Sequence, residues 1–76
     1  MTKGARIMKR YFEFVEGTSS KFWEISTKDT DVTTRYGKIG TDGRSTTKSF
    51  DDTAAAKAFA EKIIGEKTKS GYTEKV

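Results

Sequence analysis

A chain of 76 residues has room for one small hydrophobic core and no second domain. It contains neither Cys nor His, which excludes disulfides, the common zinc sites, and any chemistry that needs a thiol or an imidazole. No catalytic residue, metal or cofactor is therefore expected, and the chain reads as a non-enzyme. The formal charge of +4 is concentrated at the start: Lys3, Arg6, Lys9 and Arg10 stand without any acid in the first ten residues, and basic and acidic residues balance in the remainder.

Residues 1–8 are expected to form a basic, disordered arm, and residues 9–76 a single domain. No apolar run approaches the roughly 18 residues of a membrane span, and the basic start lacks the apolar stretch of a secretory signal. A cytoplasmic protein without membrane contact is the expectation.

From Lys9 the pattern alternates, as in half-buried strands separated by polar turns. The first strand is expected over about residues 9–16, with Phe12 and Phe14 on one face, and Gly17 to Ser20 form the turn after it. The second covers about residues 21–27, with Trp23 and Ile25 on one face and Phe22 and Glu24 on the other. A turn over residues 28–31 leads to a β-branched and aromatic third strand, about residues 32–39.

Asp42-Gly43 is a hairpin signal, and the fourth strand follows over about residues 44–50. A two-residue turn at Asp42-Gly43 sets Thr41 opposite Arg44, Ile39 opposite Thr46, Gly37 opposite Lys48 and Tyr36 opposite Ser49. That register places Ile39 and Phe50 on one face, and Thr34, Tyr36, Lys38, Ser45, Thr47 and Ser49 on the other.

The period then becomes helical. Asp51 or Asp52 is the candidate cap of a helix from residue 52 or 53 to about 67. Ala56, Phe59, Ala60 and Ile63 make its apolar stripe, and Ser70-Gly71 its stop. Tyr72 to Val76 is expected either to add a short fifth strand or to tuck Tyr72 onto the core. The resulting fold class is α+β, a four-stranded antiparallel β-meander with one helix packed on one face.

One helix covers one face of such a sheet, so the predicted open face carries Tyr36 and Lys38, an aromatic ring beside an ammonium group. The ring suits stacking on a base or sugar and the ammonium suits phosphate. Arg35, Gly37, Arg44 and Lys48 complete the candidate nucleic-acid-binding residues, although Arg35 and Lys48 fall on the helix side in this register.

The segment Tyr36-Gly37-Lys38-Ile39-Gly40-Thr41-Asp42-Gly43 resembles the signature of the WGR domain family, an aromatic residue, Gly and a basic residue followed by Ile-Gly-Thr, a variable position and Gly. The likeness extends through Lys21-Phe22-Trp23-Glu24-Ile25, Phe50-Asp51-Asp52, Ala56, Phe59, Lys67-Thr68 and Gly71-Tyr72. It covers about residues 11–72.

Members occur in poly(ADP-ribose) polymerases, in bacterial proteins similar to a molybdate metabolism regulator, and as small bacterial chains. The resemblance implies that Tyr36 and Lys38 take the places of the Trp and Arg which, in the polymerases, pack on the terminal sugar of a DNA break and bind its end. Tyr keeps a smaller stacking surface, and Lys keeps the charge without the planar fork of Arg.

Two readings follow. The first is a nucleic-acid-binding module, DNA favoured and DNA ends included. The second is a protein-interaction module, self-associating or with another chain, that binds no nucleic acid; a monomer or a weak homodimer is expected.

Overall fold

The computed structural model describes residues 7–75, so most of the expected N-terminal arm lies outside the described residues. The strands β1 (Ile7–Glu16), β2 (Ser19–Lys28), β3 (Asp31–Lys38) and β4 (Arg44–Ser49) precede the helix α1 (Thr53–Lys69), and β5 (Thr73–Lys75) ends the described chain. All strand pairs are antiparallel, and the sheet order is β4-β3-β2-β1-β5. The first strand begins before the expected position, and Met8 packs against the core. Both alternatives for the C-terminal segment are realised: β5 pairs with β1, and Tyr72 reaches the core.

Two-residue turns join β1 to β2 and β2 to β3. They are made possible by backbone with positive φ at Gly17 and Asp29. Asp52 caps α1, its side chain accepting from the Ala55 amide at 2.8 Å. At the other end, Gly71 takes φ +108°. The Tyr72 amide returns to the Lys67 carbonyl at 3.0 Å and the Gly71 amide to Thr68 at 3.2 Å, which closes the helix and aims the chain back along β1.

The core lies between the sheet and α1. Phe12, Trp23, Ile25 and Val32 from the strands meet Ala56, Ala60 and Ile64 of the helix, with Phe50, Phe59, Ile63 and Tyr72 around them. Among the described residues no helix is long and apolar enough to cross a membrane.

The β3–β4 register departs from the sequence expectation. Asp42-Gly43 does not form a two-residue hairpin: Tyr36 lies opposite Arg44 rather than Ser49, Thr34 opposite Thr46, and Val32 opposite Lys48. The slip is an odd number of positions, which exchanges the faces of one strand relative to the other. β4 keeps its expected faces and β3 does not.

Tyr36 and Lys38 therefore point to the helix side, directly opposite Trp23 and Lys21 of β2. Arg35 and Gly37 point to the far side. Ile39 is half-buried, and its amide bonds the Ser20 carbonyl at 3.0 Å rather than extending β3–β4 pairing.

The physical reason is Phe22. It faces away from the helix, opposite Gly37, yet is only 2% exposed. The 39–43 connection folds over its ring, Tyr11 stacks beside it at 5.9 Å, and the Arg35 guanidinium lies 4.6 Å from its ring centre. Such cover requires backbone on backbone. A Cβ on Gly37 would meet the Gly43 Cα at 2.8 Å, and one on Gly43 would sit 2.4 Å from the Tyr36 carbonyl oxygen and 2.6 Å from Phe22 Cζ. The need to bury Phe22 overrides the short-range hairpin signal.

Candidate nucleic-acid interface

Because α1 crosses the sheet over β2 and β3, the helix-side surface of β3 and β4 is only partly roofed. Tyr36 stands there with 44% of its surface exposed, flanked by Trp23 on one side and Arg44 on the other. Two residues along β3, Lys38 faces Lys21 across the β2–β3 pair. The Lys21 ammonium leans the other way, 5.1 Å from the Phe14 ring centre on β1, and two cations at opposed positions with no acid between them favour an anion on this surface. Lys48 lies farther along the ledge, its ammonium 5.2 Å from the Phe59 ring centre and 5.8 Å from that of Phe50.

Among the described residues the ion pairs are Lys9–Glu24, Arg10–Glu74 and Arg35–Glu24. Lys21, Lys38, Arg44 and Lys48 thus have no carboxylate partner there.

Tyr36 divides two clefts. One, about 430 Å³, is bounded by the β1–β2 turn, Lys21, Lys38 and Tyr72. The other, about 360 Å³, lies between the ledge and α1 and is bounded by Thr34, Thr46, Lys48, Phe59 and Ile63. An exposed ring shared by two clefts and edged by unpaired cations can stack on a flat ligand and hold negative charge on either side of it.

Of the six candidate residues, Tyr36, Lys38, Arg44 and Lys48 come together on the helix side. Arg35 and Gly37 do not join them. The Arg35 Nε donates to Glu24 at 3.0 Å and its Nη1 to the Asp42 carbonyl at 2.7 Å, so it holds the 39–43 connection in place. Gly37 makes room for that connection. The face assigned to Tyr36 and Lys38 from the sequence is corrected accordingly, from the open side to the helix side beyond the helix edge.

Sequence reasoning missed Lys21 and Lys67. Lys21 precedes Trp23 by two positions, so alternation already put both on one face. Lys67 lies one turn beyond Ile63, with its ammonium 5.7 Å from the Trp23 ring centre and 5.3 Å from that of Tyr72.

Away from the ledge, two acidic groups are bound to neighbours across or along β1. The hydrogen bond from Arg10 holds the Glu74 carboxyl below its ordinary range. Burial, reinforced by a hydrogen bond to Glu13, raises the Tyr11 phenol.

The sequence profile of the WGR domain matches residues 8–76. Protein YehF of Escherichia coli K12 is 40% identical over 65 residues, which cover 86% of this chain and 24% of that protein. Protein YfeS of the same strain is 37% identical over 67 residues, 88% of this chain and 28% of its own length. A crystal structure of a Bacteroides fragilis protein superposes with a TM-score of 0.88 at 48% identity, covering 91% of this chain and 20% of that one. The chain thus corresponds to a minor part of each of these longer proteins. With the profile extending from the first core residue of β1 past β5, and the same fold present in a relative of this identity, the chain belongs to the WGR domain family.

Proposed function

We propose that the chain is a non-catalytic nucleic-acid-binding module, with DNA the favoured ligand and DNA ends included. The exposed Tyr36 ring, set among Lys21, Lys38 and Arg44 with no carboxylate bound to them among the described residues, is the observation that carries this reading. Family membership supports it, since the WGR domain is linked to nucleic-acid binding in the poly(ADP-ribose) polymerases. In this reading Tyr36 stacks on a base or sugar, Lys38 and Arg44 contact phosphates, and Lys48 extends the charged ledge. Arg35 and Gly37 shape the connection that presents Tyr36 and touch no ligand.

Anisotropy titrations of labelled duplex at several salt concentrations test the proposal. Lys38→Ala removes one phosphate contact, so the slope of log K against log salt falls by about 0.9. Tyr36→Ala removes stacking worth about 1–3 kcal/mol and leaves the slope nearly unchanged. Absence of binding at low salt overturns the reading.

A second reading, a protein-interaction module, is favoured by β4. This outer strand pairs with β3 on one side only, and its six residues are all exposed, which leaves an edge open to another strand. Concentration-dependent sedimentation of the purified chain detects a self-associating form.

A further inference from the structure

Resting on the nucleic-acid reading, we infer that the cleft between α1 and the β3–β4 ledge is a receptor for one unpaired base of the bound strand. Its volume, about 360 Å³, lies at the lower end of small-molecule sites and accommodates one base with its sugar, not a base pair. Trp23, Val32, Phe59 and Ile63 supply the apolar lining, and the Thr34 and Thr46 hydroxyls supply donors and acceptors for a base edge. Tyr36 is the wall nearest the rest of the ledge.

The charges around the cleft fit a nucleotide. Lys48 and Lys67 both line it, each with its ammonium held over aromatic rings, and neither has a carboxylate partner among the described residues. Glu66 is the single acid in the lining and is exposed on the helix.

A base is neutral and flat, and its flanking phosphates stay outside. In a duplex an interior base is covered on both faces and a terminal base is still tied to its partner, so only an unpaired base can enter the space between Tyr36 and the helix. The cations continue beyond the cleft to Arg44, Lys38 and Lys21, which suits a strand rather than a free nucleotide.

The test compares four ligands against the full chain: a blunt duplex, the same duplex with a two-nucleotide 5′ or 3′ extension, the same extension made abasic, and adenosine monophosphate. Anisotropy reports affinity. The sole tryptophan, Trp23, lines the cleft and reports entry by its fluorescence.

The expected result is that the extended duplex binds at least about fivefold tighter than the blunt one, that the abasic extension returns to the blunt value, and that Trp23 emission changes only when the extension carries bases. Thr46→Phe fills the cleft from an exposed strand position, and the ratio of extended to blunt affinity then falls to about one. Circular dichroism verifies that this variant is folded.

Equal affinity for blunt, extended and abasic duplexes overturns the inference while leaving nucleic-acid binding intact. An unchanged ratio in a folded Thr46→Phe chain overturns it as well. Adenosine monophosphate binding as tightly as the extended duplex replaces the strand with a free nucleotide and also overturns it. If no duplex binds, the inference falls together with the reading beneath it.

Discussion

Replacing Gly43 with Ala isolates the contact that sets the β3–β4 register. Two costs act together. The backbone has φ +71°, a left-handed conformation that costs an L-residue about 1–2 kcal/mol. The new methyl also overlaps the Tyr36 carbonyl oxygen at 2.4 Å and Phe22 Cζ at 2.6 Å. One of these neighbours is backbone and the other a fully packed ring, so relief requires movement of the connection, at about 1–3 kcal/mol.

The combined loss of about 2–5 kcal/mol is comparable to the roughly 3–5 kcal/mol that a core of this size supplies. Thermal unfolding followed by circular dichroism should show a drop of at least about 8 °C, or no cooperative transition.

Two other glycines serve as controls. Gly40 has φ +97° but open space where a Cβ would stand, so Gly40→Ala carries the conformational cost alone and loses about half as much. Gly65 lies in α1 with nothing near its Cβ position, so Gly65→Ala gains about 0.5–1 kcal/mol. A Gly43→Ala chain that melts within about 2 °C of the parent, or that loses no more than Gly40→Ala, refutes the steric account.

Arg35→Ala removes the bonds to Glu24 and Asp42 and the cover over Phe22. It should lower stability by about 1–3 kcal/mol in denaturant titration without changing the salt slope of DNA binding, because the residue lies on the far face. At the β1–β5 edge, Arg10 Nη2 meets Glu74 at 2.7 Å and holds the Glu74 pKa below its ordinary value. A lowered folded pKa contributes stability that is fully present above the unfolded value and is lost as pH falls through the folded one. Amide exchange of β5 should therefore accelerate relative to β2 between mildly acidic pH and pH about 3, and Glu74→Gln should abolish that pH dependence.

The fold was largely legible because its signals are periodic. Strand alternation placed Phe12, Trp23 and Ile25 on one face, and the 3.6-residue stripe of α1 placed Ala56, Ala60 and Ile63 toward them. The Asp51-Asp52 pair and Ser70-Gly71 announced the helix ends, and the structure selects Asp52 as the cap. The candidate site was legible in residue type and misread in orientation. Asp42-Gly43 is a strong local turn signal, but register is a long-range property, decided here by Phe22 on β2 and by how closely two glycine backbones can approach. Alternation showed that Phe22 faced away from Trp23. It did not show that a loop would fold down to bury it.

That arrangement seals β2 on both sides, with Trp23 beneath the helix and Phe22 beneath the 39–43 connection. The hairpin carrying Tyr36 and Lys38 is consequently anchored to the most shielded strand of the sheet, while β4 and β5 form its exposed edges. In the nucleic-acid reading, a ligand at Tyr36 and Lys38 meets side chains on a strand paired on both sides, so little ordering entropy is lost when it docks. Slow exchange of the β2 and β3 amides, beside faster exchange in β4 and β5, would be the mark of such a preorganised surface.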